Sequence, residues 1–259
     1  MTYITLMQNR FGSHTNPRGP LISLMSEDGS LELSVVVPTF NERENLPRLA
    51  GELFAAFRDA GIRGELVIVD DDSPDGTAQT AAGLACAYPI RTLVRKGRRG
   101  LSSAVLEGVS AAGAPVVCVM DADLSHPPGT VPRLFRAVRE GADIAVGSRL
   151  IPGGGVEGWP LSRRLLSRGA TLLARPLTAV RDPMSGFFCF RKAILRGARL
   201  EPGGYKILLE ILARCDPARA VEVPYLFRNR HLGSSKLSGK VMGQYLGHLL
   251  RLYASRIAG

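Results

Sequence analysis

Ala114-Pro115-Val116-Val117-Cys118-Val119-Met120-Asp121-Ala122-Asp123 is an apolar run that ends on two carboxylates one residue apart. A short, continuously apolar stretch is consistent with a strand buried on both faces. The acids then stand where that strand emerges from a sheet. Two carboxylates this close repel each other unless a cation lies between them. Hard divalent ions such as Mg²⁺ take one or two protein carboxylates and complete their shell with water and substrate phosphates. The pair fits a metal–diphosphate site at the carboxyl edge of a sheet. It also fits an acidic turn capping the next helix.

The same texture continues on both sides. Leu33–Pro38, Glu65–Asp70, Ile90–Val94, Val116–Met120 and Asp143–Gly147 read as strands. Glu44–Ala60, Thr77–Ala87, Leu101–Ala112 and Val131–Glu140 read as the helices between them, the first with Leu46, Leu49, Leu53 and Phe57 at helical spacing. Strands alternating with helices predict an α/β fold, a mostly parallel sheet flanked by helices on both faces. Ligands of such sheets bind beyond the carboxyl ends of the strands. Pro38, Asp70 to Asp72, Asp121 and Ser148 all fall there. No internal repeat is evident.

The 259 residues suffice for one large α/β domain or two small ones, and a hydrophobic content of 45% supports a sizeable core. Cys86, Cys118, Cys189 and Cys215 form no CxxC pair. That argues against a disulfide scaffold or a zinc site and fits reduced thiols in a cytosolic compartment. No apolar stretch approaches the roughly 18 residues of a membrane span, and the N-terminus lacks the apolar core of a signal peptide. The net charge of +10 is one-sided. Residues 1–148 hold 14 Lys+Arg against 17 Asp+Glu, and residues 149–259 hold 19 against 6. Such a surface suits an anionic partner: a membrane face, phosphates or nucleic acid. A merely soluble basic face has the same composition.

After Arg149 the pattern changes. Ile151–Trp159 is a Gly-rich loop. Leu161–Leu177 reads as a basic amphipathic helix, with Leu161, Leu165, Leu172 and Leu173 on one side and Arg164, Arg168 and Arg175 on another. Met242, Tyr245, Leu246, Leu249, Leu250 and Tyr253 mark a second, beside Lys240 and Arg251. At about 1.5 Å per residue either helix is too short to cross a bilayer and suits its interface. Either could instead cover the domain core.

Five stretches carry candidate chemistry. Val37-Pro38-Thr39-Phe40-Asn41-Glu42 could hold a base and ribose, or simply start a helix capped by Asn41 or Thr39. Val67–Thr77 ends a strand on Asp70, Asp71 and Asp72, carboxylates able to bind ring N–H groups or ribose hydroxyls. Its Ser73-Pro74-Asp75-Gly76-Thr77 is a good turn and cap, so Asp75 carries structural weight. Asp121–Pro128 is the third. Asp182-Pro183-Met184-Ser185-Gly186-Phe187-Phe188 puts a carboxylate in a tight turn entering a new strand. Tyr205-Lys206 and Arg230–Lys236 offer cations for a diphosphate leaving group or a second phosphate. Each cation alone also reads as a solvated surface charge.

Together these motifs resemble the family-2 glycosyltransferases of GT-A fold, in family order over residues 33–239. Within them they resemble the polyprenyl-phosphate (dolichol-phosphate) mannosyltransferases. Val37–Glu42 is similar to the opening nucleotide-binding motif. Val69–Thr77 is close to the second, its Pro74 looking more like mannosyl than glucosyl members. Met120–Pro128 looks like the metal motif. Gly147-Ser148-Arg149, Gly154–Trp159 and Arg163–Gly169 resemble the acceptor loop and interface helix. Arg230–Lys236 matches a terminal Arg-x-x-Gly-x-Ser-Lys pattern. Ser125 stands where some members have Gln, and Asp72 where others have Gly or a small polar residue. The chain resembles the short members, which use interface helices or separate membrane subunits instead of C-terminal spans.

The resemblance implies a Rossmann-like GT-A domain over 32–239, a disordered leader over 1–31, within which Met25 could be the natural start, and a C-terminal amphipathic helix over 240–259. It implies inverting transfer of mannose from GDP-mannose to a polyprenyl monophosphate, with Mg²⁺ or Mn²⁺ as cofactor. Asp121, Asp123 and Ser125 would hold the metal. Pro38, Phe40, Glu42, Asp70, Asp72, Asp121 and Ala122 would bind the nucleotide sugar. Arg149, Arg163, Ser167 and Lys236 would receive the acceptor phosphate, and Asp123, Arg149, Lys206 and Arg230 would serve the transfer. The acceptor is already anionic, so no strong general base is needed, and His126, followed by two prolines, would shape its turn. The expected location is peripheral, at the cytoplasmic face of a membrane, with a separate anchor subunit as a further partner and no nucleic acid. Alternatives are a polyprenyl-phosphate glucosyltransferase, a family-2 enzyme with another donor or acceptor, and a nucleic-acid-binding α/β module. The last has no use for Asp121 and Asp123 and lacks an aromatic RNA-binding strand or zinc finger. No GxGxxG follows the first strand, which argues against a Rossmann dehydrogenase.

Overall fold

Val35, Val36 and Val37 are all fully buried, which is possible only for a strand covered on both faces. They belong to β1 (Leu33–Thr39). The computed structural model describes residues 30–201, 206–228 and 239–257, so the expected leader lies almost wholly outside the described residues. After β1 come α1 (Leu46–Ala60), β2 (Gly64–Asp70), α2 (Thr77–Leu84), β3 (Ile90–Val94), α3 (Leu101–Ala111) and β4 (Val116–Val119). Then follow α4 (Val131–Arg139), β5 (Ile144–Ser148), β6 (Gly155–Val156), α5 (Leu161–Ala174), β7 (Phe188–Arg191), α6 (Ile207–Arg214), β8 (Ala220–Pro224), β9 (Leu226–Phe227) and α7 (Gly239–Ile257).

Seven strands form one sheet in the order β3-β2-β1-β4-β7-β5-β8. All neighbours are parallel except β7, which runs antiparallel between β4 and β5. The chain steps outward from β1 to β3 and then returns to the other side of β1 at β4. The crevice between the carboxyl ends of β1 and β4 is therefore a topological switch point. β6 and β9 pair as a small second sheet.

Helical periodicity decides which face each helix covers. Leu46, Leu49, Leu53 and Phe57 of α1 join Val131, Leu134, Phe135 and Val138 of α4 against Val35 and Val37. Ala104, Val105 and Val109 of α3 and Ile207, Leu208 and Ile211 of α6 cover Val36, Val67 and Val69 on the opposite face. A third cluster joins Leu209 of α6 to Tyr245, Leu249 and Leu252 of α7 and to Ala174 and Leu177 at the end of α5. Polar bonds reinforce it: Tyr245 donates to Ala170 O at 2.6 Å and Tyr253 to Leu173 O at 2.6 Å. The fully buried Glu210 adds to it, with Arg214 at 3.3 Å and His248 of α7 at 3.4 Å.

One face of α7 thus covers the core, whereas Leu250 is 70% exposed, and Leu161 and Leu172 of α5 are each 71% exposed. Among the described residues no helix is long and apolar enough to cross a membrane.

α3 lies so close to the sheet that a side chain at Gly108 would meet Val36 and come within 2.8 Å of Val69 Cγ2. Gly108→Ala is expected to cost about 1–3 kcal/mol through overpacking. Urea unfolding should show a lower midpoint with an unchanged slope.

Candidate active site

Four non-glycine residues have positive φ among the described residues, and three of them follow strands at the crevice: Asn41 (61°) after β1, Asp72 (56°) after β2 and Leu124 (60°) after β4. Asn and Asp tolerate this conformation, but a leucine there is unusual. Each such residue costs on the order of 1–3 kcal/mol, and strain of this kind collects at functional sites.

The loops enclose a cleft of about 230 Å³. Pro38, Phe40 and Glu42 form one wall and Asp121, Ala122 and Asp123 another, so six of the expected nucleotide and metal residues share one cavity. Leu101 and Ala104, from the first turn of α3, close it with Asp71. Asp70 and Asp72, expected to meet the nucleotide, do not line this cleft. Asp70 is fully buried and accepts hydrogen bonds from Thr39 Oγ1 (2.9 Å), Ser73 N (2.8 Å) and Ser73 Oγ (2.6 Å). It organises the loop, and Asp72, in the left-handed conformation, is exposed. Asp75 is partly exposed and serves its own turn, accepting from Thr77 N at 2.9 Å and Arg43 N at 3.1 Å.

Asp71 is the acid of the three that reaches the cleft. It accepts Gly100 N at 2.9 Å and pairs with the buried Arg95 at 3.3 Å. The turn between them, Lys96-Gly97-Arg98-Arg99, places the Arg99 guanidinium 4.4 Å from the centre of the Phe40 ring. Sequence reasoning passed over this turn. The available signal was three cations and two glycines at the carboxyl end of a strand.

On the other wall Asp123 is buried, and its Oδ1 accepts Ser125 N at 3.0 Å. The Ser125 hydroxyl is buried and has no hydrogen-bond partner. Asp121, whose side chain is 35% exposed, faces the opening. His126 stacks on Phe187 at 5.0 Å, with Tyr225 and Phe227 edge-on at 5.7 and 5.9 Å. Its Nδ1 accepts the Asp121 backbone N–H at 3.0 Å. That bond needs an unprotonated Nδ1, and burial lowers the pKa of His126 against the pull of Asp121 and Asp123. The imidazole braces the turn. No group of three or more His, Cys, Asp or Glu side chains could hold a metal among the described residues. Two carboxylates and an orphaned hydroxyl still make an all-oxygen donor set that fits a hard divalent ion completed by ligand oxygens.

A cationic wall faces these acids. Arg149, at the end of β5, donates Nε and Nη2 to the fully buried Asp182 at 2.8 and 2.7 Å, and its backbone N–H donates to the same carboxylate at 2.9 Å. Burial alone would lower the Arg149 pKa; the hydrogen bonds and charge of Asp182 outweigh it and raise it. Gly186, four residues on, packs beside the Asp121 carboxylate. Lys206 donates to Met184 O at 3.3 Å. Burial, followed by Arg149 and Arg163, brings its pKa down to about 8 against Asp121 and Asp182. Arg163 of α5 stacks over Trp159 at 4.0 Å, and Arg149 lies 5.5 Å from the same ring. Ser167 follows one turn later on α5 and accepts Thr171 Oγ1 through its carbonyl. Arg230 and Lys236 lie outside the described residues.

The sequence matches the description Glycosyl transferase family 2 over residues 34–197, which span the crevice and both its walls. The chain belongs to this family and is a glycosyltransferase of GT-A type. A dolichol-phosphate mannosyltransferase of Pyrococcus furiosus is 46% identical over 226 residues, covering 86% of this chain and 64% of that protein. This chain therefore spans less than two thirds of that relative. A dolichol-phosphate mannosyltransferase of Saccharomyces cerevisiae is 44% identical over 235 residues, covering 86% of this chain and 88% of that one. The fold is like that of glucosyl-3-phosphoglycerate synthase from Mycobacterium tuberculosis, solved with Mn²⁺, UDP and glucosyl-3-phosphoglycerate. The TM-score is 0.64 at 21% identity, over 94% of this chain and 86% of that one.

Asp182→Ala would leave Arg149 buried without its counter-charge. The expected loss is about 3–5 kcal/mol in urea unfolding. Asp182→Asn, which keeps shape and part of the hydrogen bonding, is expected to lose less.

Proposed function

We propose that the chain transfers mannose, with inversion, from GDP-mannose to a polyprenyl monophosphate, releasing GDP. The observation that carries this reading is the nearness of two opposite charge sets: Asp121, Asp123 and an orphaned hydroxyl at the cleft, and Arg149, Lys206 and Arg163, of which Arg149 and Lys206 feel the charge of Asp121. The names of the two relatives above support the sugar and the lipid phosphate.

A phosphate monoester acceptor is anionic at neutral pH and attacks without a general base, which agrees with a His126 that is enclosed and engaged through Nδ1. Two like charges 4 Å apart repel by about 4 kcal/mol near a protein surface, so a donor diphosphate and an acceptor phosphate need cations between them. Arg149 stays charged at any working pH, and Lys206 is mostly ammonium at pH 7. Pro38, Phe40, Glu42 and Asp71 would enclose the guanosine, and Arg163 and Ser167, with Arg230 and Lys236, would meet the acceptor. Mg²⁺ or Mn²⁺ held by Asp121, Asp123 and Ser125 would supply electrostatic stabilisation of the leaving diphosphate.

The test mixes the protein with radiolabelled GDP-mannose, a polyprenyl phosphate in detergent and Mg²⁺ or Mn²⁺, then extracts with organic solvent. Label is expected in the organic phase, lost on chelation and reduced about 10²-fold or more by Asp123→Asn, as when one electrostatic contact to a transition state is removed. Undiminished turnover by Asp123→Asn would sink the assigned role of that wall. Label only with another nucleotide sugar would point to a different donor.

A lipid acceptor places the site at a membrane surface, and we propose a peripheral location at the cytoplasmic face, alone or with a separate anchor subunit. The exposed Leu161, Leu165 and Leu172 of α5, with Leu246 and Leu250 of α7 and the neighbouring Arg164 and Arg168, support this. Immersing one leucine side chain is worth up to about 1.5–3 kcal/mol. Replacing Leu161, Leu165 and Leu172 with Ser should weaken sedimentation with anionic vesicles by more than about tenfold. Unchanged sedimentation would exclude this face as the contact.

A further inference from the structure

Trp159 is the only tryptophan of the chain and sits where the acceptor loop becomes α5. Its backbone is held between Gly158, in the left-handed region at φ 67°, and Pro160, the residue before the helix. Its ring is in contact with both arginines expected at the acceptor phosphate. The Arg163 guanidinium lies 4.0 Å from its centre and that of Arg149 5.5 Å, while Phe227 packs edge-on at 5.4 Å and 71°. The indole N–H is buried and has no hydrogen-bond partner, so ring contacts rather than a hydrogen bond fix the side chain.

The two arginines differ in how they are secured. Arg149 is clamped by Asp182 through Nε and Nη2, one edge of its guanidinium. Arg163 rises from the first turn of α5, and its guanidinium is the nearer of the two to the ring. Two guanidinium ions near one another repel, and the negative face of an indole offsets that repulsion. We propose that Trp159 is a positioning residue for the acceptor. It holds Arg163 beside the immobile Arg149, so that a phosphate monoester meets a preset pair of guanidinium groups. This deepens the function proposed above and rests on its assignment of Arg149 and Arg163 to the acceptor phosphate.

Because the chain has one tryptophan, its emission reports this contact alone. Titration of the wild-type protein with a short-chain isoprenyl phosphate should change the emission saturably, with a midpoint near the acceptor KM. GDP alone should leave it nearly unmoved. Trp159→Leu is expected to raise the acceptor KM about tenfold, the size of one partly desolvated cation–π contact, and to move the GDP-mannose KM by less than about twofold. Trp159→Phe, which keeps an aromatic face and most of the packing, should recover most of the loss. If the wild type transfers to lipid phosphate while its emission ignores the acceptor, or while both variants keep the wild-type acceptor KM, the positioning role is wrong and the function stands. If the wild type shows neither transfer nor an emission response, the assignment of the acceptor site falls and takes the positioning role with it.

Discussion

The buried pair of Arg149 and Asp182 is the interaction on which the site depends. One carboxylate accepts three hydrogen bonds from one residue, two from the guanidinium and one from its own backbone N–H. Breaking such a pair is costly because a lone charge would remain in a low-dielectric interior. The bond therefore locks the end of β5 to the turn that leads into β7. That turn runs past Asp121 through Gly186, so the same lock spaces the acidic wall from the cationic one. Glu222 extends it by accepting the backbone N–H groups of Arg181 and Asp182 at 2.9 and 3.1 Å.

The antiparallel β7 is what brings these parts together. In a purely parallel sheet the residues preceding a strand lie at the edge remote from the site. Because β7 runs backwards between β4 and β5, its entry turn opens at the carboxyl ends of its neighbours. Asp182 thereby reaches the same rim as Asp121 and Arg149. The consequence appears in Lys206, whose pKa burial, followed by repulsion from Arg149 and Arg163, brings down to about 8 against the attraction of Asp121 and Asp182.

Much of this was legible in the sequence, for physical reasons. Strands buried on both faces have to be continuously apolar, so β1, β2 and β4 announce themselves, and α1 and α4 do so by their spacing. Carboxylates ending such strands mark the switch point before any coordinates exist. Strand direction leaves no trace in periodicity, so the reversal of β7 was not readable. Nor were β6 and β9, two residues each, or β8, which lies at the sheet edge and is only partly buried. Among Asp70, Asp71 and Asp72, the residue that faces the cleft is decided by a left-handed turn and by Thr39 at the end of the neighbouring strand β1. That choice is a tertiary one, invisible to local composition. The basic turn at Lys96–Arg99 was readable in principle, since it too follows a strand.

The exposed leucines of α5 and α7 belong to the same logic as the arginines. α5 begins directly after Trp159 and Pro160, and Arg164 ties it back by donating to Val156 O at 3.4 Å. At the other end Tyr245, Tyr253 and Arg256 of α7 donate to backbone carbonyls at Ala170, Leu173 and Pro176. Hydrogen bonds thus secure the helix at both ends, while the leucines on its outer face stay exposed. An apolar face held this firmly does not fold away to hide its surface. If that face meets a bilayer, Arg163 lies on the other side of α5 from Leu161 and Leu165, toward Trp159 and the site. The proposed acceptor, whose chain stays in the membrane, would then need to bring only its headgroup to the cationic wall.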